Sequence, residues 1–134
     1  MAGKAFRKPG SELVYIKARW SGPEGVIEND KEFIVDTGAE GSTCKPSNTR
    51  GKGLTFVGFR GSSGIGGSTI SPAWDAGTAT FDTQTPDGEV KTINCQTVIT
   101  ESEFNLLGQD QLRPNKISVF NGDPPALVTG FQPR

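Results

Sequence analysis

Three consecutive apolar residues, Phe33, Ile34 and Val35, run directly into Asp36-Thr37-Gly38, and this junction constrains the rest of the chain. A continuous apolar run of this kind reads as a strand buried on both faces, so the carboxylate at its end enters partly desolvated surroundings at a strand-to-turn exit. A charged oxygen placed there needs partners. Thr37 offers a hydroxyl and Gly38 an unobstructed backbone N–H, both able to orient and hydrogen-bond it. An aspartate ahead of a glycine also serves as a simple turn residue whose side chain caps its own backbone. The tripeptide therefore takes its meaning from the residues downstream of it.

Two later segments bear on it. Gly61–Ser68, reading GSSGIGGS, sets four glycines around one aliphatic residue, Ile65. Such density implies a tight turn with positive φ, a close backbone approach to a ligand, or a flexible surface linker. No lysine closes the segment and no strand-glycine-helix context surrounds it, so phosphate-binding loops do not apply. Phe104–Leu112, reading FNLLGQDQL, is an apolar strand that turns at Gly108 into a short helical segment, cut to about one turn by Pro114.

Taken in order, these three segments resemble the single-domain aspartic proteases of retroviruses, the retropepsins. Asp36-Thr37-Gly38-Ala39 looks like their catalytic loop and Gly64-Ile65-Gly66-Gly67 like the tip of their flap, a hairpin that closes over bound peptide. Leu106-Leu107-Gly108 looks like their second conserved strand and helix start. The likeness spans about Leu13 to Phe120. It implies an all-β, single-domain, retropepsin-like acid protease fold with closed, barrel-like sheets, a glycine-rich flap hairpin, at most one short helix, and a homodimer. Residue by residue it makes Asp36 catalytic and gives Thr37 and Gly38 the bracing of the loop. Ala39 and Glu40 would contact substrate, Ser63, Gly64 and Ile65 would lie over it, and Phe104 and Leu106 would wall the side-chain pockets. Val35 would contribute to the subunit contact. One departure stands out: the family usually has arginine where this chain has Gln109. In the family that arginine pairs with an acid at the position of Glu40; here Gln109 can only hydrogen-bond it, and Arg7, Lys8 or Arg19 are candidate substitutes.

Peptide hydrolysis by this route needs two carboxylates sharing one proton about a water. The ionised one acts as general base; the protonated one hydrogen-bonds the scissile carbonyl and later protonates the leaving amine. Such a pair titrates in two macroscopic steps, a behaviour for which aspartic proteases are the standard illustration. The chain holds no second Asp-Thr-Gly or Asp-Ser-Gly. Asp75-Ala76-Gly77 comes nearest but lacks the hydroxyl and the preceding apolar run. The second aspartate is therefore expected from a second copy across a two-fold axis. No metal or organic cofactor is expected. The family likeness implies viral polyproteins, including the enzyme's own precursor, as substrates, and a location in the virion or in host cytoplasm. A cellular or retrotransposon-derived protease of the same fold, or a non-catalytic peptide-binding or dimerisation module, are the alternatives.

Composition removes other chemistries. The 134 residues contain no histidine, which excludes Ser-His-Asp and Cys-His nucleophiles and imidazole zinc sites. Fourteen basic and fifteen acidic residues leave a net charge of −1, without the footprint expected for nucleic acid or an anionic membrane. No apolar run approaches a bilayer span or a signal-peptide core, so a soluble protein is expected. Cys44 and Cys95 are expected to be reduced residues in or near the core. The length fits one domain, expected over residues 11–120, with a flexible segment at 1–10 and a loose tail at 121–134.

Along the chain, strands are expected at Leu13–Trp20, Leu54–Phe59, Val90–Thr100 and Ile117–Phe120. A polar turn at Glu28–Lys31 is expected to return the chain into Phe33–Val35. Lys45–Gly53 reads as loop, and Pro86-Asp87-Gly88 as the turn of a hairpin. The resemblance implies that chain termini form a sheet between subunits; Ile117–Phe120 and Leu127–Phe131 are the two candidate segments, and the former is favoured.

Overall fold

The computed structural model describes residues 4–22, 25–49, 51–64 and 67–130. These residues form an all-β chain. Strand β1 (Tyr15–Gly22) shows why: Val14, Ile16, Ala18 and Trp20 are buried while Lys17 and Arg19 are exposed, the period-two pattern of a strand with one face in a core. Strand β2 (Gly25–Val35) runs back antiparallel to it, with Tyr15 opposite Ile34 and Lys17 opposite Glu32.

The turn expected at Glu28–Lys31 is absent. β2 is continuous from Gly25, and the polar stretch is absorbed as register irregularities opposite Ala18–Ser21; the chain reverses where Gly22 faces Gly25. After β2 come β3 (Ser42–Cys44) and a single helical turn, α1 (Pro46–Thr49), inside the segment expected to be loop. Strands β4 (Thr55–Gly64) and β5 (Gly67–Gln84) form a long antiparallel hairpin, and β6 (Val90–Glu101) returns along β5. The β5–β6 turn falls at the expected Pro86-Asp87-Gly88. There Thr85 N–H donates to Glu89 O at 2.8 Å, and Gly88 supplies the positive φ of 91°. Strand β7 (Leu106–Leu107), helical turn α2 (Gln109–Leu112), β8 (Ser118–Phe120) and β9 (Ala126–Val128) complete the order.

Strand pairing closes a ring: β1 to β2, β2 to β7, β7 to β3, β3 to β6, β6 to β5, and β5 back to β1. Closure of this kind removes edges that would otherwise template pairing with another chain. The interior holds Ile16, Trp20, Phe33, Ile99 and Leu107, each almost fully buried, with the Trp20 and Phe33 rings tilted at 5.0 Å. Burying a side chain such as Phe33 stabilises by about 1.5–3 kcal/mol. Val35 is 9% exposed and belongs to this core. Cys44 is buried and Cys95 half-buried, and both carry reduced thiols. Among the described residues no helix is long and apolar enough to cross a membrane.

Described residues near both ends of the chain pack against the sheet. Ala5 is buried, Phe6 pairs with Tyr15 and stacks on its ring at 5.7 Å, and Lys8 bridges to Glu32 at 3.0 Å. Arg7 donates to the Gly122 carbonyl at 2.6 Å and to the Asn121 side chain. At the other end β9 pairs with β8 and, at Gln84–Val128, with β5, burying Leu127 to 2% exposure. Residues 1–3 and 131–134 of the expected terminal segments lie outside the described residues.

Candidate active site

Asp36 leaves β2 between two neighbours. Val35 N–H donates to Val14 O at 2.8 Å on one side; on the other, Asp36 N–H donates to Leu107 O at 3.0 Å, extending the parallel β2–β7 pairing of Ile34 with Leu106 and Val35 with Leu107. Asp36 is half-buried. Beyond it Gly38 N–H donates to Asp36 Oδ1 at 2.9 Å, and Ala39 N–H to Asp36 O at 3.2 Å. A Cβ on Gly38 would stand 3.3 Å from that same carboxylate oxygen, so the missing side chain lets the backbone close on it.

This aspartate-to-glycine bond is not in itself a catalytic signature. Gly77 N–H donates to Asp75 Oδ1 at 2.8 Å in the same way, at an irregularity of β5. What sets Asp36 apart is the brace outside its loop. Gln109 N–H donates to Ala39 O at 2.8 Å and Asp110 N–H to Glu40 O at 3.0 Å, so the first turn of α2 caps the loop's carbonyls. Gly108 makes this possible: a Cβ there would meet Gly41 O at 2.6 Å and Ala39 O at 2.8 Å. Ser42, 2% exposed, donates to Asp110 Oδ1 at 2.7 Å and accepts from Gly108 N–H at 3.1 Å, tying β3 to the same junction.

Gln109 does not reach Glu40. Its Nε2 donates to Thr37 O at 2.9 Å, so Thr37, which is exposed, is held through its carbonyl rather than its hydroxyl. The cation beside Glu40 is Arg113, at 3.6 Å, one helical turn after Gln109. None of Arg7, Lys8 and Arg19 takes that place: Arg7 is committed to Asn121 and Gly122, Lys8 to Glu32, and Arg19 sits on β1 opposite Thr80. Both members of the Glu40–Arg113 pair are largely exposed, so the bridge is worth less than about 1 kcal/mol.

A cleft of about 610 Å³ opens two residues from Asp36. Its floor is the Gly38–Thr43 loop with Leu106; Arg60, Gly61 and Ser71 of the β4–β5 hairpin face it, and Thr100–Ser102 close one end. Ala39, Glu40 and Leu106 thus line one cleft. Phe104, 53% exposed, lies in a neighbouring cleft of about 680 Å³ with Ile34 and Leu13. Ser63 and Gly64 end β4, opposite Ser68 and Gly67. Ile65 lies outside the described residues. Arg60, Thr100 and Arg113 are site residues that the sequence did not mark. Thr100 reaches the cleft through the parallel pairing of β3 with β6, which no local pattern announces.

Asp36 is half-buried and hydrogen-bonded through its carboxylate, and it lies along the chain between Ile34, which lines one cleft, and Gly38, which lines the other. No protein-family model and no curated protein sequence matches this chain, so its reading rests on this geometry and on the residues that form it.

Proposed function

We propose that the chain is an aspartic endopeptidase of the retropepsin type, active as a homodimer in which Asp36 of each subunit shares one water. The observation that carries this reading is the position of Asp36: at a strand exit, braced by α2, and two residues from a cleft faced by the long β4–β5 hairpin. In the proposed reaction the ionised Asp36 removes a proton from the water as it attacks the scissile carbonyl carbon. Its protonated partner stabilises the carbonyl oxygen, and the resulting tetrahedral intermediate expels the amine as the C–N bond breaks and nitrogen takes up the proton that the dyad removed from the water. The β4–β5 hairpin acts as the flap that excludes water from the closed site.

A second copy is needed because this chain supplies one suitable aspartate. β8 supports such pairing: it ends the strand order with β9 as its neighbour there and carries Phe120, 57% exposed. The substrates in this reading are viral polyproteins, the precursor of this chain among them, acted on in the virion or its precursor assembly.

Incubation with an apolar-centred peptide library at mildly acidic pH, with and without pepstatin, tests it. Cleavage blocked by pepstatin and abolished by Asp36→Asn, together with a dimer in sedimentation, is the expected result. Binding of peptides without turnover by the unaltered chain would instead fit a non-catalytic module, and a monomeric active species would sink the shared-water mechanism.

A further inference from the structure

The outer face of the β1–β2 hairpin leads straight to Asp36. On β2, Glu32 and Ile34 project to one side, two residues short of Asp36, and Tyr15 and Lys17 of β1 stand directly opposite Ile34 and Glu32. This face forms one wall of the 680 Å³ cleft, with Phe104 and Lys45 on the other side. Apolar groups alternate there with cations in a chain whose net charge is −1. Among the described residues the only lining carboxylate is Glu32, and its Oε1 is engaged by Lys8 at 3.0 Å; Lys8 also lies 4.7 Å over the Tyr15 ring. Lys17 and Lys45 are exposed and, among the described residues, make no side-chain ion pair. The cleft thus joins an apolar floor of Ile34, Leu13 and Phe104 to positive charge that its own walls do not neutralise.

We infer that this cleft is an acid-selecting extension of the substrate site, taking a peptide side chain of Asp or Glu against Lys17 and Lys45 while an apolar neighbour packs on Ile34 and Phe104. The inference rests on the endopeptidase reading above and names the substrate class for it. At about 3.3 Å per residue, Ile34 stands about 7 Å and Glu32 about 13 Å back along the strand from Asp36. An extended peptide covers that span in two to four residues, which sets where the acidic side chain falls relative to the scissile bond. A polynucleotide is disfavoured because Glu32 sits in the same wall and would oppose a run of phosphates. In a two-fold dimer the partner offers the same cleft on the other side of the bond.

The test uses a cleavable peptide found by the library screen, prepared in pairs that differ only by Glu or Gln at positions two, three and four from the scissile bond. For at least one pair the acidic peptide should be cleaved about three- to tenfold more efficiently, the gain lying in KM and shrinking as salt is raised. Lys17→Glu and Lys45→Glu should each carry the acid-to-neutral ratio towards one or below it. Lys91→Glu, on exposed β6 outside the cleft, makes the same change in net charge and should leave the ratio in place. Equal efficiencies for every pair, or an equal shift with Lys91→Glu, would overturn the inference. If no peptide is cleaved at all, the endopeptidase reading fails separately. The cleft is then read by fluorescence anisotropy, with preference for the labelled acidic over the neutral peptide, lost in Lys17→Glu, still expected. No such preference, or tighter binding of a single-stranded RNA oligonucleotide than of the acidic peptide, would refute it.

Discussion

Ser42 and Asp110 are 68 positions apart in the chain and joined by a 2.7 Å hydrogen bond, with the Gly108 N–H as third member at 3.1 Å. The bond fastens the strand after the Asp36 loop to the turn that caps it. Ser42→Ala leaves a buried N–H and a carboxylate oxygen without this partner. Such a loss costs about 1–3 kcal/mol. Urea denaturation should show that decrease, and an unchanged midpoint would mean that the junction is held by other contacts.

Gly108→Ala should be more damaging than its single methyl group implies. The added Cβ would fall 2.6 Å from Gly41 O and 2.8 Å from Ala39 O, backbone atoms that move only if the Asp36 loop moves. Overpacking of this kind costs about 1–3 kcal/mol. Because the displaced loop carries Asp36, peptide cleavage should fall more steeply than stability does; activity at the unaltered level would refute the steric account.

The exposed Glu40–Arg113 bridge should matter little to folding. A double-mutant cycle of Glu40→Gln and Arg113→Gln is expected to give a coupling below about 1 kcal/mol, weaker again at high salt. A larger coupling would mean that the pair is drier than its exposure of 82% and 69% implies.

Lys8 carries a pH-dependent tie between the N-terminal segment and β2. Its hydrogen bond to Glu32 raises the ammonium above its ordinary value of 10.5; slight burial opposes the rise, and attraction to Glu32 and Tyr15 adds to it. Because the folded value lies above the unfolded one, the contribution is complete below about 10.5 and is lost as pH climbs through the raised value. Titration of the Lys8 side chain by nuclear magnetic resonance should have its midpoint above 10.5 and move back towards it in Glu32→Gln. A midpoint at or below 10.5 in the unaltered chain would contradict the contact.

Local pattern made some of this architecture readable. Alternation at Val14, Ile16, Ala18 and Trp20 marks β1, the Pro86-Asp87-Gly88 turn marks the β5–β6 hairpin, and Gly108 with Pro114 brackets α2. The cleft was legible only at the loop itself. Thr100 enters it through the pairing of β3 with β6, strands distant in sequence, Arg60 enters from the β4–β5 hairpin, and Arg113 reaches Glu40 because α2 turns once past Gln109. Long-range register of that sort leaves no mark on the residues around it. Gln111 is the sharpest case: a polar residue in a polar run, yet fully buried, donating to Thr97 Oγ1 at 2.9 Å. The polar run Glu28–Lys31 has the composition of a turn yet lies within β2, since turn-forming residues also tolerate an irregular strand.

The twin geometry of Asp36 and Asp75 supplies a control within the molecule. Each carboxylate accepts the N–H of the glycine two residues on, at 2.9 and 2.8 Å. In each case asparagine retains an oxygen to accept that bond, so neither Asp36→Asn nor Asp75→Asn should change the fold. They differ in what surrounds them: Asp36 ends a strand beside the cleft and under the α2 brace, whereas Asp75 lies inside the β5 ladder opposite Thr55 and Val98. Only an acid that meets substrate carries proton transfer, a contribution of about 10²- to 10⁴-fold. Asp36→Asn should lose cleavage by at least that factor while Asp75→Asn keeps it within about twofold. Equal losses in the two variants, with circular dichroism unchanged in both, would show that the shared turn and not the site governs activity.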